Sequence, residues 1–246
     1  MEAVRSVVVV GAVLAVLTAS ALVMTAVMLL TLWQGRRLCA EVIAPPTTRA
    51  CLWLMGVRLD IRHEAPAPDG QAVYVVNHTS TLDLFIVMSM GLPRTRFFLK
   101  RRFLAVFPIG LIALLLGTFF TPPQTDRRKR VACFSRAERT LRRTGDSVFL
   151  SPEGTRITTG GIGPFNKGAF HLATNLKAPI VPLFIEIPPE INPGRGVLTR
   201  PGTVSVTVKP AIPTADWQLD DLEENRDAVR ARFVGYQEGR TGVFSE

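Results

Sequence analysis

From Val7 to Trp33 the chain carries no charged residue. As a helix rising ~1.5 Å per residue, such a run outreaches the ~30 Å hydrocarbon core of a bilayer. A cleaved secretory leader is the rival reading. The run is longer than the ~7–15-residue core of such leaders, and no clear small-x-small site precedes Arg36. A retained membrane helix is therefore expected. Arg36, Arg37, Arg49, Arg58 and Arg62 follow it, whereas Arg5, offset by Glu2, precedes it. That asymmetry puts the body of the protein in the cytoplasm. A shorter apolar segment, Ala50 to Val57, follows the Pro45-Pro46 break and could complete a helical hairpin lying on or in the bilayer. Ala65 to Gly70 is a turn-rich linker. The expected organisation is residues 1–64 as membrane-anchoring helices and 65–246 as an α/β domain.

The 246 residues suffice for one sizeable α/β domain with an appendage. A net charge of +9 suggests a polyanionic partner: nucleic acid, an anionic membrane surface or a phosphorylated substrate. The apolar N-terminus favours the membrane and phosphate readings. Cys39, Cys51 and Cys133 are odd in number and lack metal-ligand spacing, so reduced thiols are expected, with no disulfide framework and no metal site. No dinucleotide fingerprint or P-loop is present, and no bound cofactor is expected.

Ala72 to Val76 has the β-branched and aromatic content of a buried strand. Leu84 to Met88 reads as a helix entering the core, with Thr79, Ser80 or Thr81 as N-cap. Between them lies Asn77-His78-Thr-Ser-Thr-Leu-Asp83, so His78 stands at the C-terminal end of a strand, where open α/β sheets bind ligands. On one continuous helix His78 and Asp83 would point about 140° apart. A turn before Asp83 lets its carboxylate reach the imidazole. A histidine so held is suited to take a proton from a hydroxyl. By itself His-x4-Asp is weak evidence.

The pattern recurs. Ser147 to Leu150 is a second apolar strand, ending in the polar loop Ser151-Pro-Glu-Gly-Thr-Arg156. Two such loops at one edge of a parallel sheet face one crevice. Arg94 to Arg102 is a β-prone core wrapped in basic residues, and Leu111 to Phe120 a helix running into a strand. Asp126 to Arg143 is a basic helix with Val131, Phe134, Ala137 and Leu141 on one stripe. Glycines 160, 161 and 163 and Pro164 to Gly168 form a flexible loop into another helix. Pro179 to Glu186 and Thr203 to Lys209 read as strands, and Leu219 to Tyr236 as an amphipathic helix. The expected fold class is α/β: a central, largely parallel or mixed sheet flanked by helices, with an N-terminal membrane helix or helical hairpin.

Taken in order, Asn77-His78-x4-Asp83, Lys100-Arg101-Arg102 with Pro108-Ile-Gly110, Ser151 to Arg156, Pro164 to Gly168 and Ile180 to Leu183 resemble the glycerolipid acyltransferase family. The resemblance covers about residues 70 to 190. It implies transfer of a fatty acyl group from acyl-CoA or acyl-ACP to a lysophospholipid hydroxyl, with 1-acylglycerol-3-phosphate giving phosphatidate as the leading case. His78 would be the general base and Asp83 its orienting partner. Glu153, Gly154, Thr155 and Arg156 match the family's acceptor-binding motif: Arg156 would pair with phosphate, Gly154 would permit close backbone approach, and Glu153 would bind a glycerol hydroxyl or balance Arg156. Lys100 and Arg101 look like the family's basic pair near that phosphate. The family's Asp-Arg-x-x-Arg matches Asp126, Arg127 and Arg130, although Pro122-Pro123 interrupts the usual approach to it; Arg127 is the preferred phosphate contact. Other acceptors (a lyso-ornithine lipid, lysophosphatidylglycerol or a glycolipid) and thioesterase activity are the alternatives. Nucleic acid is not an expected partner.

Overall fold

The computed structural model describes residues 2–158, 161–192, 194 and 199–241. Helix α1 (Glu2–Leu30) is followed by one continuous helical stretch: α2 (Arg36–Leu38), a π-helical turn (Cys39–Ile43) and α3 (Ala44–Leu54). The Pro45-Pro46 pair lies within the first residues of α3 rather than breaking the chain. Then come β1 (Val57–His63), β2 (Val73–Val76), α4 (Leu82–Ser89), β3 (Thr95–Lys100) and a 3₁₀ turn (Arg101–Ala105). They are followed by α5 (Ile109–Leu115), β4 (Phe119–Thr121), α6 (Arg127–Thr144) and β5 (Ser147–Leu150). The chain closes with α7 (Gly168–Leu176), β6 (Ile180–Glu186), β7 (Gly202–Val208) and α8 (Leu222–Thr241).

The seven strands form one sheet in the order β1-β7-β6-β2-β5-β3-β4. Every neighbouring pair is parallel except β6 with β7. Alternation along the strands feeds two cores. Tyr74, Val76, Phe149 and Leu183 face α1, α3, α4 and α5, whereas Val73, Val75, Val148 and Leu150 face α6, α7 and α8. The result is a three-layer α/β/α architecture, as the strand–loop–helix pattern requires.

Two expectations change. β1 lies before residue 65 yet pairs along its whole length with β7, from Val57 opposite Gly202 to His63 opposite Val208. The sheet therefore starts inside the segment assigned to the anchor, and the 64/65 border separates a strand from its own sheet. Val131 is exposed, so the buried stripe of α6 begins only with half-buried Phe134 and then runs through Ala137 and Leu141.

The span Val4–Leu30 of α1, charged only at Arg5, is long and apolar enough by length and composition to cross a membrane. It packs against α3 and α5. Val13, Leu17, Ala21, Met24 and Met28 are buried at helical spacing, while Leu14, Leu22, Val23 and Leu29 are exposed. One apolar face is thus satisfied by protein, and the opposite apolar face is left open.

Candidate active site

His78 leaves the C-terminal end of β2, and Asp83 is the second residue of α4. The turn between them brings His78 Nδ1 to 2.7 Å from Asp83 Oδ2. The same oxygen accepts the Thr79 N–H at 2.9 Å and the Ser80 N–H at 3.1 Å. None of the three candidate N-caps acts in the ordinary way. Thr81 holds the cap position without a side-chain capping bond. The Ser80 hydroxyl accepts the first helical N–H, that of Leu82, at 3.1 Å, while the Asp83 carboxylate holds the turn that precedes the helix. Asp83 is buried, and its aim is fixed by these N–H groups.

The preceding residue, Asn77, is buried and behaves as an extra rung of the sheet. Its amide donates to Ile185 O and accepts from Ile185 N–H, both at 2.8 Å. Composition alone gives no hint of this; the clue is an asparagine directly after a buried strand, where an unpaired ladder position must be filled.

The second loop grips the first. Glu153 Oε2 accepts the His78 N–H at 2.6 Å, and Glu153 Oε1 accepts the Gly163 N–H at 2.8 Å. The His78 carbonyl in turn accepts the Ile157 N–H at 2.8 Å. Both backbone polar groups of the histidine are therefore held by the segment around Ser151 to Ile157. Glu153 is only 5% exposed. Burial pushes its carboxyl above the usual carboxylate range, opposed by the bonds from His78 and Gly163. Its oxygens hold loops together, an arrangement different from the expected contact with a glycerol hydroxyl or with Arg156. Gly154 has φ +69°, and a Cβ there would come within 2.9 Å of Gln124 Nε2 and 3.0 Å of Asn166 Nδ2. Asn166 closes the loop by donating to Pro152 O and Glu153 O. Of the glycines expected in this loop, Gly160 lies outside the described residues.

A cavity of about 790 Å³ opens at His78 and Asp83. Leu17 and Met24 of α1 and Ile112 and Ala113 of α5 line it as well. Its volume and apolar walls suit a chain-like ligand. Lys100, Arg101, Arg130 and Arg156 line the same cavity. Arg156 Nη1 donates to Thr81 Oγ1 at 2.6 Å and to Gly194 O at 3.3 Å, which sets the guanidinium beside the histidine loop. Burial lowers the Lys100 pKa, and Arg102, Arg156 and Arg130 lower it further by repulsion. These cations share one corner and leave it strongly favourable to an anion. Arg130, one turn beyond Arg127, is the arginine on the cavity wall; Arg127 and Thr155 are not among its lining residues. The spacing Asp126-Arg127-x-x-Arg130 names both arginines but not which of them meets the cavity.

Residues 58–186 match the family model described as Acyltransferase, which spans the histidine loop, the cation corner and the second loop. The chain belongs to the acyltransferase family. This acyltransferase is 33% identical over 191 residues to human 1-acyl-sn-glycerol-3-phosphate acyltransferase beta, covering 76% of this chain and 68% of that one. With the alpha enzyme of Bos taurus it shares 32% over 182 residues, 72% of this chain and 62% of the relative. It thus spans about two thirds of these curated relatives. Its fold is that of the 1-acyl-sn-glycerophosphate (LPA) acyltransferase PlsC from Thermotoga maritima, with TM-score 0.68 at 17% identity over 97% of this chain and 98% of that one.

Proposed function

We propose that this acyltransferase moves a fatty acyl group from the thioester of acyl-CoA or acyl-ACP to the free hydroxyl of a lysophospholipid, 1-acylglycerol-3-phosphate in the first instance, yielding phosphatidate. The observation that carries the reading is the placement of the His78–Asp83 pair and the cation corner on the wall of one apolar cavity. The names of the relatives support the acceptor.

With Nδ1 engaged by Asp83, Nε2 of His78 is the atom left to receive the acceptor's hydroxyl proton. The resulting oxygen nucleophile attacks the thioester carbonyl. The tetrahedral intermediate expels the thiolate, which recovers the proton from the imidazole. Lys100, Arg130 and Arg156 hold the acceptor phosphate, and Arg156 supplies a planar fork that lysine lacks. The chemistry calls on no cofactor beyond the acyl donor. The exposed face of α1 holds the protein in the inner membrane, with the catalytic body on the cytoplasmic side.

The test offers purified full-length protein a panel of lysolipids with labelled acyl-CoA or acyl-ACP and separates the products by thin-layer chromatography. Incorporation into phosphatidate is expected, and His78→Ala should lose about 10²–10⁴-fold. Full transfer by that variant would overturn the catalytic assignment. Thiol release without any acceptor would identify a thioesterase instead.

A further inference from the structure

Between Lys100 and Pro108 the chain forms a strap whose side chains stand largely in solvent. Phe107 is 63% exposed, Val106 42% and Leu104 36%. Solvent is an unfavourable place for them, since apolar surface gains free energy on leaving water. Their exposure is fixed by the backbone. Gly110 N–H donates to Val106 O at 2.8 Å, and Val106 N–H donates to Phe103 O at 3.1 Å. A Cβ on Gly110 would meet Leu104 O at 2.3 Å, so only glycine lets the strap lie this close to α5. The strap therefore cannot turn its apolar side chains inward without losing these contacts.

Two observations say what covers it. First, the strap begins with exposed Arg101 and Arg102, so cations sit beside apolar side chains, as in segments that lie at an anionic lipid interface. Second, it is continuous with the anchor: the strap packs on α5, and α5 packs on α1, whose outer face is apolar and open. Arg101, Arg102 and Phe103 also line the cavity, so the strap is part of its rim.

We infer that the strap Arg101–Phe107 is a second membrane contact, inserting Leu104, Val106 and Phe107 into an anionic leaflet and so presenting the mouth of the cavity to lipid. Its role in substrate entry rests on the proposed acyl transfer; its insertion does not. An acceptor lipid then passes from the leaflet into the cavity without its tail crossing water.

A reporter chain, with Trp33, Trp53 and Trp217 replaced by Phe and carrying Phe107→Trp, is reconstituted in vesicles of anionic lipid brominated along the acyl chains. At least a twofold loss of emission is expected relative to unbrominated vesicles. A matched chain keeping only native Trp217, which packs on the opposite face of the sheet, should be unquenched. Equal, unquenched emission from both chains overturns insertion, including the case in which the patch pairs two copies of the chain in water. A second arm uses Phe107→Ser. KM for a vesicle-borne long-chain acceptor should rise about tenfold, with rates on a short-chain, monomeric acceptor unchanged. Equal loss on both acceptors would make the strap merely structural. Absence of transfer to any acceptor, with quenching intact, would instead defeat the proposed reaction and leave the membrane contact standing.

Discussion

Two buried aspartates stand at opposite ends of the parallel strands and are dressed in opposite ways. Asp83, in the loop region beyond the C-terminal end of β2, accepts two backbone N–H groups and one imidazole on a single oxygen. Asp146, immediately before β5, is fully buried and accepts from Arg36 at 2.6 Å and Arg96 at 2.8 Å, with Arg37 and Arg94 within 4 Å. Backbone donors fix direction, because they cannot swing; an aspartate so held can aim a histidine. Arginines on long stems fix attachment instead. Asp146 ties the exit of the N-terminal helix, through Arg36, to β3, through Arg96. One carboxylate orients an imidazole, and the other fastens the N-terminal helices to the sheet.

That contrast can be broken by substitution. Asp83→Asn should lower kcat about 10²–10⁴-fold with little change in KM, because the amide no longer favours the imidazole form that accepts a proton. Thermal unfolding in detergent should barely move. Asp146→Ala should do the reverse, lowering stability by about 3 kcal/mol through the unpaired arginines left behind, with kcat per folded molecule preserved. Equal effects of the two substitutions on catalysis would erase the distinction. Glu153→Gln tests whether this third buried carboxylate belongs with Asp83. An amide keeps one acceptor oxygen but sets N–H against N–H at the other contact, so kcat should fall about tenfold at unchanged KM. A rise in KM alone would return Glu153 to direct substrate binding.

The smallest effect concerns Lys100, whose pKa is lowered by burial and by neighbouring arginines. Deprotonation therefore begins at lower pH than for an ordinary lysine, and the phosphate loses a counter-charge. KM for a phosphorylated acceptor should rise a few-fold as pH climbs through that range, and acceptor binding there should take up protons. Lys100→Arg, charged throughout, should flatten the profile.

Much of this was legible before any coordinates. His78, Asp83 and the Ser151–Arg156 loop follow strand ends, and parallel strands necessarily bring such loops to one edge. β1 was missed although Val57, Leu59 and Ile61 alternate, because its partner β7 lies far along the chain and an edge strand has no local signature. Asp146 carries no local signal; its burial depends on arginines from two other segments, Arg36–Arg37 and Arg94–Arg96. Glu153 was recognised, but its partners are backbone N–H groups that a sequence does not display. Arg127 and Arg130 lie about one turn apart on α6, and which of them meets the cavity depends on how that helix docks.

The clamp on His78 has a consequence for anyone recombining such proteins. Its amide and carbonyl are both spoken for by a segment some seventy-five positions downstream. The histidine loop and the glutamate loop therefore form a single heritable part split across the gene. A chimera that imports one loop without the other would keep the histidine and its aspartate and still hold the imidazole in the wrong place, whereas exchanging both together should preserve the geometry of the pair.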